Sequence, residues 1–326
     1  MEADAVLEWA RVIVLFCCLS LAAKSDYSTL MVRDSHWLNW TTPSVLLLII
    51  GLAVIETDPL NYCMAGALLA TASLSIFDPP DLRKTTHWSR EQIALAAVYS
   101  IGLVGLLGGA MTHADTDFIA LVLGDESPET SLWWALLGAI VTMLFFIIAW
   151  RVRIIQGGAD AKALILVTLI FPSWSFLPEP IFPSEGAIFS IPPSMAMFLW
   201  AGAAFLLVPP ALFIQNATRG NISSFADLKM AWHSTRRPIS EIRSDTSWLL
   251  TDVIENEGEK KVINRILPSR GPSSGKDAAA VLENLDSLGV QTAWVANKHP
   301  FLVYLFASII PLVLFGDPVG IISSEI

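Results

Sequence analysis

Apolar residues run along most of this chain in long, nearly unbroken stretches. They do not show the three-to-four-residue spacing of helices that cover a water-soluble core. Eight stretches stand out, at 5–23, 42–56, 60–77, 92–112, 131–150, 161–178, 194–215 and 299–317. A helix needs about 20 predominantly apolar residues to cross a bilayer, so the pattern predicts membrane-spanning helices. The second and third stretches are short and are joined by Glu56-Thr57-Asp58-Pro59. They read either as two helices or as one re-entrant hairpin across 42–77. The first stretch begins with acidic residues and lacks a small-x-small cleavage site, so it reads as a helix and not as a signal peptide. The predicted fold class is all-α: a polytopic membrane protein of about eight transmembrane helices. Its parts are a bundle over 1–215, a cytoplasmic insertion over 216–298, and a last helix with its tail over 299–326.

The polar interruptions sort by charge. With the N-terminus outside, the inner segments are 24–41, 78–91, 151–160 and 216–298. Counting Lys162 at the inner end of its stretch, they hold 19 of the 20 Lys and Arg residues. Cytoplasmic loops carry that excess in membrane proteins. The outer segments carry Glu2, Asp4, Asp58, Asp115, Asp117, Asp125, Glu126, Glu129, Glu179 and Glu185 and no Lys or Arg. Arg11 is left inside the first stretch, three residues after Glu8, where a helical pair or a snorkelling side chain accounts for it. The expected location is the cell membrane, multi-pass.

Composition agrees with the pattern. Of 326 residues 54% are hydrophobic and only 15% charged, against about 25% in soluble domains. That excludes an ordinary cytosolic enzyme and a disordered chain. The net charge is −10, and no compact basic patch interleaved with aromatics suggests a nucleic-acid partner. Cys17, Cys18 and Cys63 lie in apolar runs without a CxxC pair, and the five histidines form no HExxH. No metal site or cofactor is therefore expected. Gly271-Pro272-Ser273-Ser274-Gly275-Lys276-Asp277 approximates a phosphate loop. One residue is missing between its glycines, and Asp stands where Ser or Thr would bind magnesium, so a linker is the better reading. Pro172, Pro192, Pro193, Pro209 and Pro210 mark helix kinks or ends.

Ionisable residues at the ends of spans are the candidates for chemistry. Asp26 lies three residues beyond Ala23, at the inner end of the first stretch. Asp160 closes Gln156-Gly157-Gly158-Ala159-Asp160, at the inner start of the sixth. The topology brings both to one interface, although 134 residues separate them. Two neighbouring carboxylates do not both ionise readily, so one keeps a proton and the other stays charged. The charged one takes a proton from water while the protonated one polarises a scissile carbonyl. Gly157 and Gly158 leave room for close approach. The plain alternatives are that Asp160 is a helix cap and that Asp26 is simply solvated. Lys162, two residues on, falls on roughly the opposite helix face and reads as a topology anchor, and Asp317, near the last outer end, reads as solvated.

Gly157-Gly158-Ala159-Asp160-Ala161-Lys162-Ala163-Leu164 resembles the GxGD signature of archaeal preflagellin and prepilin peptidases, which are membrane aspartic proteases. Ala23-Lys24-Ser25-Asp26-Tyr27-Ser28-Thr29-Leu30-Met31-Val32, followed by Trp37, is similar to the context of that family's other aspartate. Ala293-Trp294-Val295, Lys298-His299-Pro300-Phe301 and Phe315-Gly316-Asp317 resemble its last helix and the approach to it. The resemblance implies Asp26 and Asp160 as catalytic residues, with Gly157, Gly158 and Lys162 as motif support or substrate contacts. It also implies flagellin or type IV pilin-like precursors as protein partners, with membrane lipid around them, and removal of a short basic leader at the cytoplasmic face. The chain departs from the pattern in having Tyr27 after the first aspartate, an extra helix pair near 60–77 and 92–112, and the insertion at 216–298. The zinc-binding domain of bacterial relatives, with its paired CxxC motifs and methylation activity, has no counterpart here. A presenilin-like protease would carry a Tyr-Asp pair inside a span and a Pro-Ala-Leu motif; the sequence holds Pro210-Ala211-Leu212 but no Tyr-Asp pair. A transporter would place ionisable groups near the midplane.

Overall fold

A computed structural model of the chain describes residues 2–79, 89–183, 190–242, 247–256, 259–266 and 276–324. The basic residues Arg83 and Lys84, the outer Glu185 and the loop-like stretch 271–275 lie outside them. Two compact units result: residues 1–202 with 301–326, and residues 203–300.

The first unit opens with α1 (Glu2–Thr29), α2 (Asp34–Val54), α3 (Pro59–Ser73), α4 (Arg90–Thr112), α5 (Phe118–Leu123), α6 (Pro128–Arg151), α7 (Gly158–Ile170) and α8 (Pro193–Leu206). Caps are legible at several starts. Asp58 accepts from the Leu60 amide ahead of Pro59, and Ser89 with Gln92 forms a capping box, each satisfying amides that the first turn leaves unpaired. α1 runs six residues past the predicted end at 23 and stops where Leu30 takes a left-handed φ of 55°. α2 starts at Asp34, not 42, because Trp37 turns into the core at 2% exposure although the run Asp34-Ser35-His36 reads as polar. A four-residue turn therefore replaces the predicted 18-residue inner loop.

Five helical stretches among the described residues are long and apolar enough to cross a membrane: Asp4–Thr29, Asp34–Val54, Arg90–Thr112, Pro128–Arg151 and Pro193–Thr218. The last combines α8 with α9 (Val208–Thr218), joined at Leu207 just ahead of Pro209 and Pro210. α3 has 15 residues and α7 has 13, about 20 Å of helix each, against a hydrocarbon core of about 30 Å. The molecule is thus a mostly helical, multi-span membrane protein.

α7 is short because protein surrounds it. Nine of its thirteen residues are buried, including every one from Ala163 to Ile170, the signature of a helix with no lipid-facing side. It packs on α1, α2, α3 and α6. Lipid is as apolar as leucine, so such helices associate through close fit. On α4, a Cβ at Gly105 would lie 2.6 Å from the Cys63 and Met64 backbone of α3, and one at Gly102 2.7 Å from Ala67 Cα. Opposite the α6–α7 turn, Glu129 Oε2 accepts from Thr57 Oγ1 (2.7 Å), the Asp58 amide (3.0 Å) and Asn61 Nδ2 (3.1 Å). This fastens the α2–α3 turn to the start of α6. Arg11 does not snorkel. It is 2% exposed, donates to the Leu47 carbonyl at 3.0 Å and lies 4.7 Å from the Phe176 ring centre.

The second unit corrects the all-α expectation. After α9 come α10 (Phe225–Met230), β1 (Thr235–Pro238), β2 (Ser247–Leu249), β3 (Thr251–Asn256), β4 (Glu259–Asn264), α11 (Lys276–Ser287) and β5 (Thr292–Asn297). β5 is the centre of an antiparallel sheet ordered β1-β5-β2, and β3 pairs with β4. The β-branched and aromatic residues of Thr292-Ala293-Trp294-Val295 suit a central strand. This segment was expected to lead into the last helix, and Trp294 instead packs with Met230, Ala231 and Leu250. Buried Asn216 donates to the carbonyls of Leu212, Ala231 and Ser234. The first unit resumes with α12 (Phe301–Ala307), α13 (Ile309–Phe315) and α14 (Pro318–Ser324). Phe301–Phe315 and Pro318–Ser324 form a pair bent by 41°, a sixth crossing if counted as one.

Candidate active site

Asp26 stands within the last turn of α1, not beyond the helix. α1 packs against α12 and α7, and the Leu302 amide at the start of α12 donates to the Asp26 carboxylate. Sequence reading missed Leu302, because nothing local connects it to a residue 276 positions earlier.

Asp160 is the third residue of α7, whose N-cap is Gly157 at φ −86°, ψ 118°. That backbone suits any residue, so freedom of φ does not explain the glycine. A Cβ at Gly157 would run into the Asp160 carboxylate, which folds back over the cap. A Cβ at Gly158 would lie 3.1 Å from the Trp150 indole. The glycine pair thus makes room for the carboxylate and the indole. Asp160 precedes the apolar segment 161–178. Burial, then the charge of Asp26, pushes its carboxyl up to about 7. Both aspartates are half-buried and close enough for one charge to act on the other.

Lys162 is not a free anchor. Its side chain is 12% exposed and pairs with Asp34 Oδ1 at 2.5 Å, and its Nζ lies 5.6 Å from the Trp150 ring centre. It ties α7 to the first turn of α2, on the face away from Asp160. Asp34 was not singled out from sequence, as its partner is 128 residues away. Beside the α6–α7 turn, Trp150, Arg151, Arg153 and Gln156 line an open groove of about 570 Å³.

Asp317, expected to be solvated, is 9% exposed and accepts from the amides of Ile191 (2.8 Å) and Val319 (2.9 Å). It starts α14 and holds the strand-like approach to α8. Among the described residues no three His, Cys, Asp or Glu side chains gather as a metal site would require. No family model matches the chain, and no curated protein matches it.

Proposed function

We propose that this protein is a membrane aspartic endopeptidase that removes the short basic leader from flagellin- or type IV pilin-like precursors at the cytoplasmic interface. The observation that carries the reading is the pairing of Asp26 with Asp160. Two carboxylates far apart in sequence share one end of the bundle, and the charge of one raises the other. In this reading α3 and α7 act as short crossings, which restores eight spans and keeps the basic segments inside. Asp26, whose carboxylate accepts from the Leu302 amide, takes the role of the charged partner and receives the proton from water. Asp160 keeps its proton and donates a hydrogen bond to the scissile carbonyl. Water attacks that carbon, and the proton held by Asp26 passes to the leaving amine. Cleavage of a prepilin-type precursor in reconstituted membranes, comparing wild type with Asp160→Ala, tests the proposal.

Two further outcomes follow. Gly157→Ala is expected to leave the backbone intact and displace the Asp160 carboxylate. Cleavage then falls about 10- to 100-fold, the scale of a misplacement near 1 Å, at unchanged membrane abundance. Unchanged cleavage would contradict the role given to Asp160. Reporter fusions after Arg90, after Arg153 and within 216–298 should read cytoplasmic, and one within 113–127 external. An external reading for 216–298 would put the aspartates on the wrong side.

A further inference from the structure

α5 is anomalous in its surroundings. It is a single apolar run, Phe118-Ile119-Ala120-Leu121-Val122-Leu123, in the only linkage between two long membrane-spanning helices, α4 and α6. Phe118, Ile119, Val122 and Leu123 are 59%, 72%, 77% and 69% exposed. Positions i, i+1, i+4 and i+5 fall on one side of a helix, so the four make a continuous apolar face. Ala120 and Leu121, on the other side, are less exposed.

The loop does not place this face at random. Asp117 caps α5 by accepting from the Ile119 amide at 2.9 Å, and Gly124 ends it in a left-handed turn at φ 80°. The Asp117 amide donates to Glu126 Oε1 at 3.0 Å, closing the loop on itself. Trp134 Nε1 donates to Thr116 Oγ1 at 3.1 Å, and the Phe118 ring lies 5.0 Å from that of Trp134 on α6. Five residues join α5 to α4 and four join it to α6, a reach of about 17 Å at most. A face so tethered stays at the membrane surface that α4 and α6 enter. Trp134, in the second turn of α6, is part-exposed at that level, where amphipathic rings mark the headgroup region.

We propose that α5 is an interfacial anchor whose apolar face inserts at the headgroup–acyl boundary of the phospholipid bilayer around α4 and α6. The chemistry of the loop specifies how it binds. Residues 113–127 carry Asp115, Asp117, Asp125 and Glu126 and no Lys or Arg, so headgroup charge gives no attraction. Insertion rests on burying apolar area and therefore needs no anionic lipid, which can only oppose it by a repulsion that salt screens. The acids flanking α5 stay in water and limit its depth. This inference needs only the membrane-spanning helices and is independent of the peptidase reading.

Nitroxide labelling of the full chain in nanodiscs tests it. Single cysteines Ile119→Cys, Val122→Cys and Asp125→Cys are placed in a chain with Cys17, Cys18 and Cys63 replaced by alanine. The ratio of oxygen to nickel-chelate collisions is expected to be several-fold higher at 119 and 122 than at 125. The contrast is expected to be full in phosphatidylcholine discs and no greater in phosphatidylglycerol-rich ones, with no loss on raising the salt. Equal nickel accessibility at 122 and 125 would place the face in water and overturn the proposal. So would spin–spin broadening that disappears on dilution with unlabelled protein, which would mean a second copy covers the face. A contrast that appears only with anionic lipid would overturn the apolar mechanism. If the cysteine-free chain does not insert, Val122→Trp in the native chain gives the same reading through added quenching by brominated lipid over the parent, and absence of that increment refutes the anchor.

Discussion

Asp26→Asn and Asp160→Asn are each expected to lower precursor cleavage by at least about 100-fold, and as far as about 10⁴-fold, the range for losing a positioned acid or base. The two substitutions fail for different reasons. Asn at 26 accepts the Leu302 amide but takes no proton from water. Asn at 160 donates a hydrogen bond yet restores no shared proton. Because the aspartates act as a unit, the double variant should lose little more than the worse single one, as expected for groups whose effects are not additive. Initial cleavage rates in proteoliposomes, normalised to inserted protein, decide the matter. Near-wild-type cleavage by either variant would refute the peptidase reading. A double variant that loses the product of the single effects would show that the two aspartates act independently.

Much of the helical plan was legible because membrane helices announce themselves through length and hydropathy alone. Each of the eight apolar stretches contains a helix or a helix pair, but hydropathy does not locate ends: the sixth, 161–178, leaves the α-helix after Ile170. Asp34-Ser35-His36-Trp37 scores as polar and is nevertheless helical, because Trp37 packs inward and the polar side chains sit on the first turn. Lys24 to Thr29 continue α1 because nothing there breaks a helix before Leu30. The sheet of the second unit was hidden for the opposite reason. Its strands are three to six residues long, and β5, placed in the insertion, reads as the approach to the last helix.

The aspartates themselves were singled out by chemistry at span ends, and their supports were not. Leu302 and Asp34 act through packing between elements more than a hundred residues apart and Trp150 across the α6–α7 turn, and no local pattern encodes such partners. Lys162 illustrates the loss. Its spacing from Asp160 correctly placed it on another face, but only the packing of α2 on α7 shows the acid that receives it. Asp317 shows the reverse error: a lone carboxylate past a helix end reads as solvated until the two amides it binds are seen.

Cleavage is expected to decline as pH rises through about 7, by about tenfold per unit above it, because a single deprotonation removes the active form. Asp160 is the group responsible. Its burial and the neighbouring Asp26 charge hold its proton up to about 7, so below that pH the pair carries the one proton that the mechanism uses. Stability should follow the same titration. The folded-state value lies above the ordinary carboxyl value of 3.8, so between the two the folded protein binds more protons than the unfolded chain. The stabilisation from protonated Asp160 is full below the ordinary value and is lost as pH rises through about 7. Asp160→Asn should therefore flatten the decline of the melting temperature between about pH 4 and 7, while abolishing cleavage throughout. Asp26→Asn removes the neighbouring charge and should move the midpoint for Asp160 downward, since one of the two causes of its elevation is gone. A melting-temperature profile that is unaltered by Asp160→Asn between about pH 4 and 7, together with wild-type cleavage that is flat from about pH 6 to about pH 9, would show that Asp160 holds no proton in the working range.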